Sequence, residues 1–218
     1  MDIASLLDGP SAAIVLGGTL LATLLRCGLG DCGRTLAAVS QLGQRRFDAT
    51  RAQAEMAAQA REIHEGGLLR ASPHHIGDSE FDEATDALIG RRSVSALVAA
   101  HESHRVRRAD ASNRAARTLA QAAELAPVFG LAGTLVSLSQ LPADGIAQGQ
   151  FAAAISMAVL TTLYGLLLAN LLLAPLARVI ERTAAAEEAE RQKIIDWLAR
   201  QVAHDMPGGR RSALDEAA

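Results

Sequence analysis

GIAQGQFAAAISMAVLTTLYGLLLANLLLAPLA, residues 145–177, runs for 33 residues without an Asp, Glu, Lys, Arg or His. As an α-helix rising about 1.5 Å per residue it outreaches a hydrocarbon core of about 30 Å, so the run predicts a membrane-spanning helix. A soluble core helix of this size would show a charged face, and this one has none. Its polar atoms sit on Thr161 and Thr162, side by side, then on Tyr164 and Asn170. In lipid those groups need partners or water.

Two shorter apolar runs accompany it. Residues 125–141, LAPVFGLAGTLVSLSQL, are uncharged, with Pro127 near the start, Gly130 and Gly133 flanking one turn, and Thr134 near mid-depth. Residues 9–25 are also uncharged, the short end of a span, and Asp8-Gly9-Pro10-Ser11 supplies a helix start. Gly17 and Gly18 in that run, like Gly130, Gly133 and Gly165 in the other two, would let a neighbouring backbone approach closely. No basic residue precedes the first run, which argues against a cleaved secretory signal. Residues 142–149 form a short loop, so the second and third spans make an antiparallel hairpin.

Residues 26–124 have a different character, with 14 Arg against 13 acidic residues and much Ala and Gln. Residues 35–64 read as one helix, broken by Gly66-Gly67 and by the loop SPHHIGD at 72–78. A second long helix runs from Ser79 towards Glu124 and continues into the second span, with Ser79 and Asp82 resembling a capping box and Leu88, Val94, Leu97 and Val98 forming an apolar stripe. Pro127 then falls at the membrane boundary as a kink. The tail, 178–218, reads as an amphipathic helix with Ile194, Ile195, Trp197 and Leu198 grouped, ending at Pro207-Gly208-Gly209.

The whole chain has 218 residues, half of them apolar and only 3% aromatic, with a net charge of −3. That mix suits close-packed helices better than sheets, and the dispersed Arg gives no nucleic-acid footprint. Cys27 and Cys32 define neither a disulfide framework nor a zinc site. His101 and His104 lie one turn apart, a spacing that could hold a metal, but nothing in the sequence completes a ligand set. These two, with His64, His74 and His75, are read as solvated surface residues. No phosphate loop, nucleophile elbow or metal set is present, so neither an enzyme nor a cofactor is expected.

Lys and Arg number 14 in residues 26–124 and 7 in the tail, against none in residues 1–8 or 142–149. The positive-inside rule puts the basic segments in the cytoplasm of a bacterial inner membrane. The expected order is a periplasmic N-terminus (1–8), spans at 9–25, 125–141 and 150–177, a cytoplasmic helical domain (26–124), a periplasmic loop (142–149) and a cytoplasmic tail (178–218). The expected fold is thus an all-α membrane protein with three transmembrane helices extending into a cytoplasmic helical domain. No span holds an Asp, Glu, Lys, Arg or His, so a titrating group in mid-membrane would have to come from another polypeptide.

At these residues the sequence resembles the MotA/TolQ/ExbB proton-channel family, most of all its flagellar stator branch. The matching pieces are DGPSAAIVLGGTLLA (8–22), LAPVFGLAGTLVSL (125–138) and MAVLTTLYGLLLANLLLAPLA (157–177). The resemblance implies a homopentamer around two copies of a single-span partner of the MotB/ExbD/TolR type whose membrane Asp carries the proton, with ion passage turning the ring against a rotor or an outer-membrane protein. By motif position it implies an ion pathway at Thr134, Thr161 and Thr162, and gating or coupling at Pro127 and Pro175, with Tyr164 beside them. For each threonine the alternative is a bond to its own helix carbonyl. Flagellar members have four spans, and this chain begins where their second would, so either the start is truncated or the three-span plan of ExbB and TolQ applies. The charge pair with which flagellar members engage the rotor is not in place around Gly66-Gly67, where His64, Glu65 and Arg70-Ala71-Ser72 stand. A non-conducting membrane scaffold and an ExbB/TolQ-like energiser are the competing readings.

Overall fold

A computed structural model describes residues 8–42, 47–67, 77–141 and 148–205. Among them are only helices: α1 (Gly9–Gln41), α2 (Ala49–Gly66), α3 (Ser79–Arg91), α4 (Val94–Ser139), α5 (Gln148–Leu167), a π-helical segment (Leu168–Leu173) and α6 (Ala174–Asp205). The loop residues His74 and His75, the 142–147 connection and Pro207-Gly208-Gly209 lie outside the described residues. Three helical stretches are long and apolar enough to cross a membrane, Gly9–Gln41, Val94–Ser139 and Phe151–Ala203. The fold is an all-α membrane protein.

The chain divides into two units, Met1–Gln44 with Ala111–Arg182, and Arg45–Asp110 with Thr183–Ala218. In the first, α1 starts as its sequence suggests: the Asp8 carboxylate accepts the Ser11 N–H at 2.9 Å, and proline falls in the first turn, where a missing N–H is harmless. The helix does not stop at Arg26. It bends at Gly28, whose φ of 82° and ψ of 158° suit glycine, and runs on to Gln41. Ala115, Leu119, Ala177 and Ile180 form a small core with Ala38, Val39 and Leu42 packed on it. Leu16, Leu20, Leu21, Leu25 and Leu29 are more than half exposed, a surface that water would penalise and lipid accepts.

The second unit has an ordinary apolar core. Met56 and Ile63 of α2, Phe81 and Leu88 of α3, Leu97 of α4, and Ile195, Leu198 and Val202 of α6 are each at most 2% exposed. The grouped apolar residues of the tail are therefore a core stripe, whereas Val98, expected in the α3–α4 stripe, is 43% exposed.

Three expectations about this region are corrected. Residues 35–64 are not one helix, because the non-helical Asp48 caps a new start by accepting the Arg51 N–H at 3.0 Å, and α1 has already ended. Ser79 does not cap α3; Asp78 does, accepting from the N–H groups of Glu80 and Phe81. The helix from Ser79 does not reach Glu124 unbroken. Arg92 sits in the left-handed region at φ 51°, ψ 42° and closes α3 by donating its N–H to Leu88 O, and α4 starts afresh at Val94. The Gly66-Gly67 break is where expected, with Gly67 at φ 71° and its N–H on Ile63 O at 2.8 Å. From Val94 onwards α4 continues through Pro127 into the second apolar run, as read.

The histidine reading is also corrected. His101 and His104 are 5% and 8% exposed, because α3 and α6 close over them. His101 Nε2 lies 3.1 Å from Gln192 Oε1 and 3.5 Å from Glu188. His104 Nε2 lies 2.8 Å from Glu83, with Nδ1 3.9 Å from Glu80. Arg108 donates to Glu188 at 2.7 Å and pairs with Glu80. Arg191 donates to Asp78 at 2.8 Å and Glu187 at 2.9 Å, and stacks over the Phe47 and Phe81 rings at 4.2 and 5.3 Å. Burial pulls its pKa down, but bonds and charge from Asp78 and Glu187 more than offset this and raise it above the usual arginine value.

Arg191→Lys keeps the charge but cannot reproduce a planar group that forks to carboxylates while stacked on phenyl rings. A loss of about 1–3 kcal/mol is expected, read as a lower midpoint in thermal unfolding followed by circular dichroism in detergent. Leu198→Ala, at 0% exposure, should cost about 2–5 kcal/mol in the same measurement.

Candidate functional site

The helices α4 and α5 touch backbone to backbone. A Cβ placed on Gly165 would come within 2.6 Å of Ala126 O and 3.2 Å of the Cα atoms of Gly130 and Pro127. One placed on Gly130 would meet Thr161 O at 2.9 Å and Thr162 Cα at 3.2 Å, and one on Gly133 would meet Thr161 Cγ2 at 2.7 Å. Only hydrogen fits at these three positions, and that is how the hairpin closes. Glycine in a helix normally costs about 1 kcal/mol relative to alanine, a cost offset here by the contact it permits. Gly18 of α1 is likewise filled, by the Phe129 ring at 2.3–2.8 Å from a Cβ built there, whereas around Gly17 nothing lies within 4 Å.

The three threonines lie on this seam or beside it but differ in access. Thr161 is fully buried, its methyl and Cβ against Gly133, and its hydroxyl donates to Ala158 O at 2.9 Å. Thr162 and Thr134 are partly exposed. Their hydroxyls donate to Ala158 O at 3.2 Å and Leu131 O at 2.6 Å. A hydroxyl that has given its proton to its own helix offers only lone pairs outward. Such an oxygen can accept from a hydronium or a protonated carboxylic acid, or coordinate a cation. Thr161, enclosed within the subunit, packs the seam instead.

Pro127 lies inside α4 one turn before Gly130, where it removes the donor that the Ala123 carbonyl would otherwise use. Pro175 lies two residues beyond the π-helical segment, which is closed by the Ala174 N–H reaching back five residues to Ala169 O. A turn of that kind is one of the ways a helix absorbs a proline. Tyr164 ties the start of α1 to α5, its hydroxyl accepting the Asp8 N–H at 3.0 Å just before α1 begins. That tether and the Gly18–Phe129 contact were not visible in the sequence, since neither follows from spacing along one helix.

Gly165→Ala should cost about 1–3 kcal/mol, or prevent the hairpin from closing, because a carbonyl and two backbone carbons stand in its way. Gly17→Ala should be neutral or stabilising by up to about 1 kcal/mol. Thermal denaturation of the purified variants in detergent separates the two.

The chain matches the MotA/TolQ/ExbB proton channel family over residues 74–193, more than half its length. It is 25% identical to motility protein A of Cereibacter sphaeroides over 198 residues, covering 90% of this chain and 78% of the relative. Chemotaxis protein PomA of Vibrio alginolyticus is 24% identical over the same length, with the same coverage. In fold the chain is similar to a chain of the flagellar MotAB stator complex from Bacillus subtilis, with a TM-score of 0.80 at 17% identity, covering 100% of this chain and 91% of that one. With three membrane-spanning helices, a glycine-closed hairpin between the last two and no Asp, Glu, Lys, Arg or His in the apolar runs 125–141 and 145–177, the chain belongs to the MotA/TolQ/ExbB proton channel family, close to MotA.

Proposed function

We propose that this protein is the ring-forming subunit of an ion-driven stator complex in the bacterial inner membrane. In this reading five copies surround two copies of a single-span partner whose membrane aspartate carries the proton, and ion flow past it turns the ring. The N-terminus is periplasmic, and residues 26–124 and the tail are cytoplasmic, as the Lys and Arg count argues. The observation that carries the proposal is the hairpin: two partly exposed threonine oxygens with outward lone pairs, in spans where no side chain of this chain can take up a proton. Half of an ion site is present, and its chemistry fits a carboxylic acid delivered by another polypeptide.

Pro127 and Pro175 bracket the hairpin at the ends of its two spans and are the coupling points through which motion there reaches α4 and α6, with Tyr164 holding α1 in register. The names of the relatives favour a rotor as load over an outer-membrane transporter. The surface that would grip a rotor does not follow from the charges beside Gly66-Gly67, where His64 and Glu65 stand.

The test is proton flux into proteoliposomes holding the protein co-purified with its single-span partner. Thr162→Val should lower flux about tenfold or more, since one bond to a charged group is worth about 1.5–3 kcal/mol, and Thr162→Ser should conduct nearly as the native chain does. A complex that never conducts would support the scaffold reading, and flux through this chain alone would refute the need for a partner. Native mass spectrometry should return five copies.

A further inference from the structure

The π-helical segment Leu168–Leu173 contains the one carboxamide of the third span beyond Gln150, Asn170, and no threonine of the expected pathway lies within it. Asn170 is exposed, and its Nδ2 donates to Leu166 O at 3.0 Å. One arm of the amide is thus satisfied by the residue's own helix, and its Oδ1 has no partner among the described residues. The two leucines that follow, Leu171 and Leu172, are 69% and 51% exposed, and Ala169 precedes it, so the surroundings on this helix are apolar.

An open amide oxygen facing hydrocarbon loses its water without recompense, a cost of some kcal/mol that membrane helices avoid by turning such groups towards protein or water. The direction in which Asn170 is turned is set by the helix. Ala158, Thr162, Leu166 and Asn170 follow one another at four-residue steps, a single row on one side of the helix. Along that row the Thr162 hydroxyl is bonded back to Ala158 O, and the Asn170 amide to Leu166 O. Thr162 leaves only acceptor oxygen, and Asn170 leaves its Oδ1 with one N–H beside it; the two residues are eight apart, roughly 12 Å along the axis.

We propose that Asn170 is a second polar station of the ion path, its Oδ1 accepting from a hydrated proton or coordinating a monovalent cation between Thr162 and the end of the span marked by Arg178. This rests on the proposed function above, which supplies the ion and the direction of travel. The back-bond to Leu166 O holds the amide nitrogen against its own helix and leaves Oδ1 as the acceptor available to a cation.

The experiment uses the complex with its single-span partner in proteoliposomes, with proton uptake followed by an entrapped pH dye in sodium-free buffer. Asn170→Leu, similar in branching but without the amide, should reduce the rate about tenfold or more while native mass spectrometry shows unchanged subunit numbers. Assembled Asn170→Leu complexes conducting at the native rate, while Thr162→Val blocks them, would overturn the assignment of Asn170 and leave the channel reading standing. A native complex that does not conduct would overturn both. Should Asn170→Leu fail to assemble, Asn170→Cys in a chain carrying Cys27→Ser and Cys32→Ser gives the answer by labelling. A charged methanethiosulfonate reagent, which reacts in water and not in lipid, should modify Cys at 170 and lower flux. Modification of Thr162→Cys but not of Asn170→Cys in the same background would overturn the proposal.

Discussion

The contact between the backbones of α4 and α5 is the constraint on which the rest of the membrane unit depends. Between helices in lipid the hydrophobic effect gives no net attraction, because a lipid tail is as apolar as a leucine. Cohesion has to come from dispersion and from polar contacts at short range, and both need close approach. Gly130, Gly133 and Gly165 provide it, with Ala126 O, Thr161 O and the Thr161 side chain filling the space their missing side chains leave. The seam also decides which threonine is enclosed and which keeps an open oxygen, so packing and chemistry share the same residues.

The second unit is held by other forces. Its helices bury Met56, Ile63, Leu88, Leu97, Ile195 and Leu198 as a soluble domain does, and over that core lies a set of charges around Arg108, Arg191, Glu80 and Glu188. Desolvating such a set costs much of what its pairing returns, so the apolar core is the main source of stability there. What the charges add is specificity of register: Arg191 stacks on Phe47 and Phe81 only when α6 presents it opposite Asp78.

The apolar spans were legible because lipid imposes a length and a composition that no neighbour can alter, and the runs at 9–25, 125–141 and 145–177 satisfy both. The continuation of α4 across Pro127 and the grouping of Ile194, Ile195 and Leu198 also followed from local pattern. The errors arose where a single residue's backbone state or a distant neighbour had the deciding part. Arg92 in the left-handed region interrupts a pattern that reads as continuous helix, and Asp48 begins a helix inside another such pattern. His101 and His104 look like surface residues on their own helix, and become buried because α3 and α6 bring Glu80, Glu83, Glu188 and Gln192 to them.

The sequence by itself determined that this protein spans a membrane in three apolar helices and that those spans offer hydroxyls but no Asp, Glu, Lys, Arg or His, since both are properties of composition along a single segment. Only the tertiary structure decided what each polar side chain can do. Whether a threonine is sealed, as at Thr161, or stays partly exposed, as at Thr162, depends on how closely another helix packs against it, which spacing along one chain does not specify.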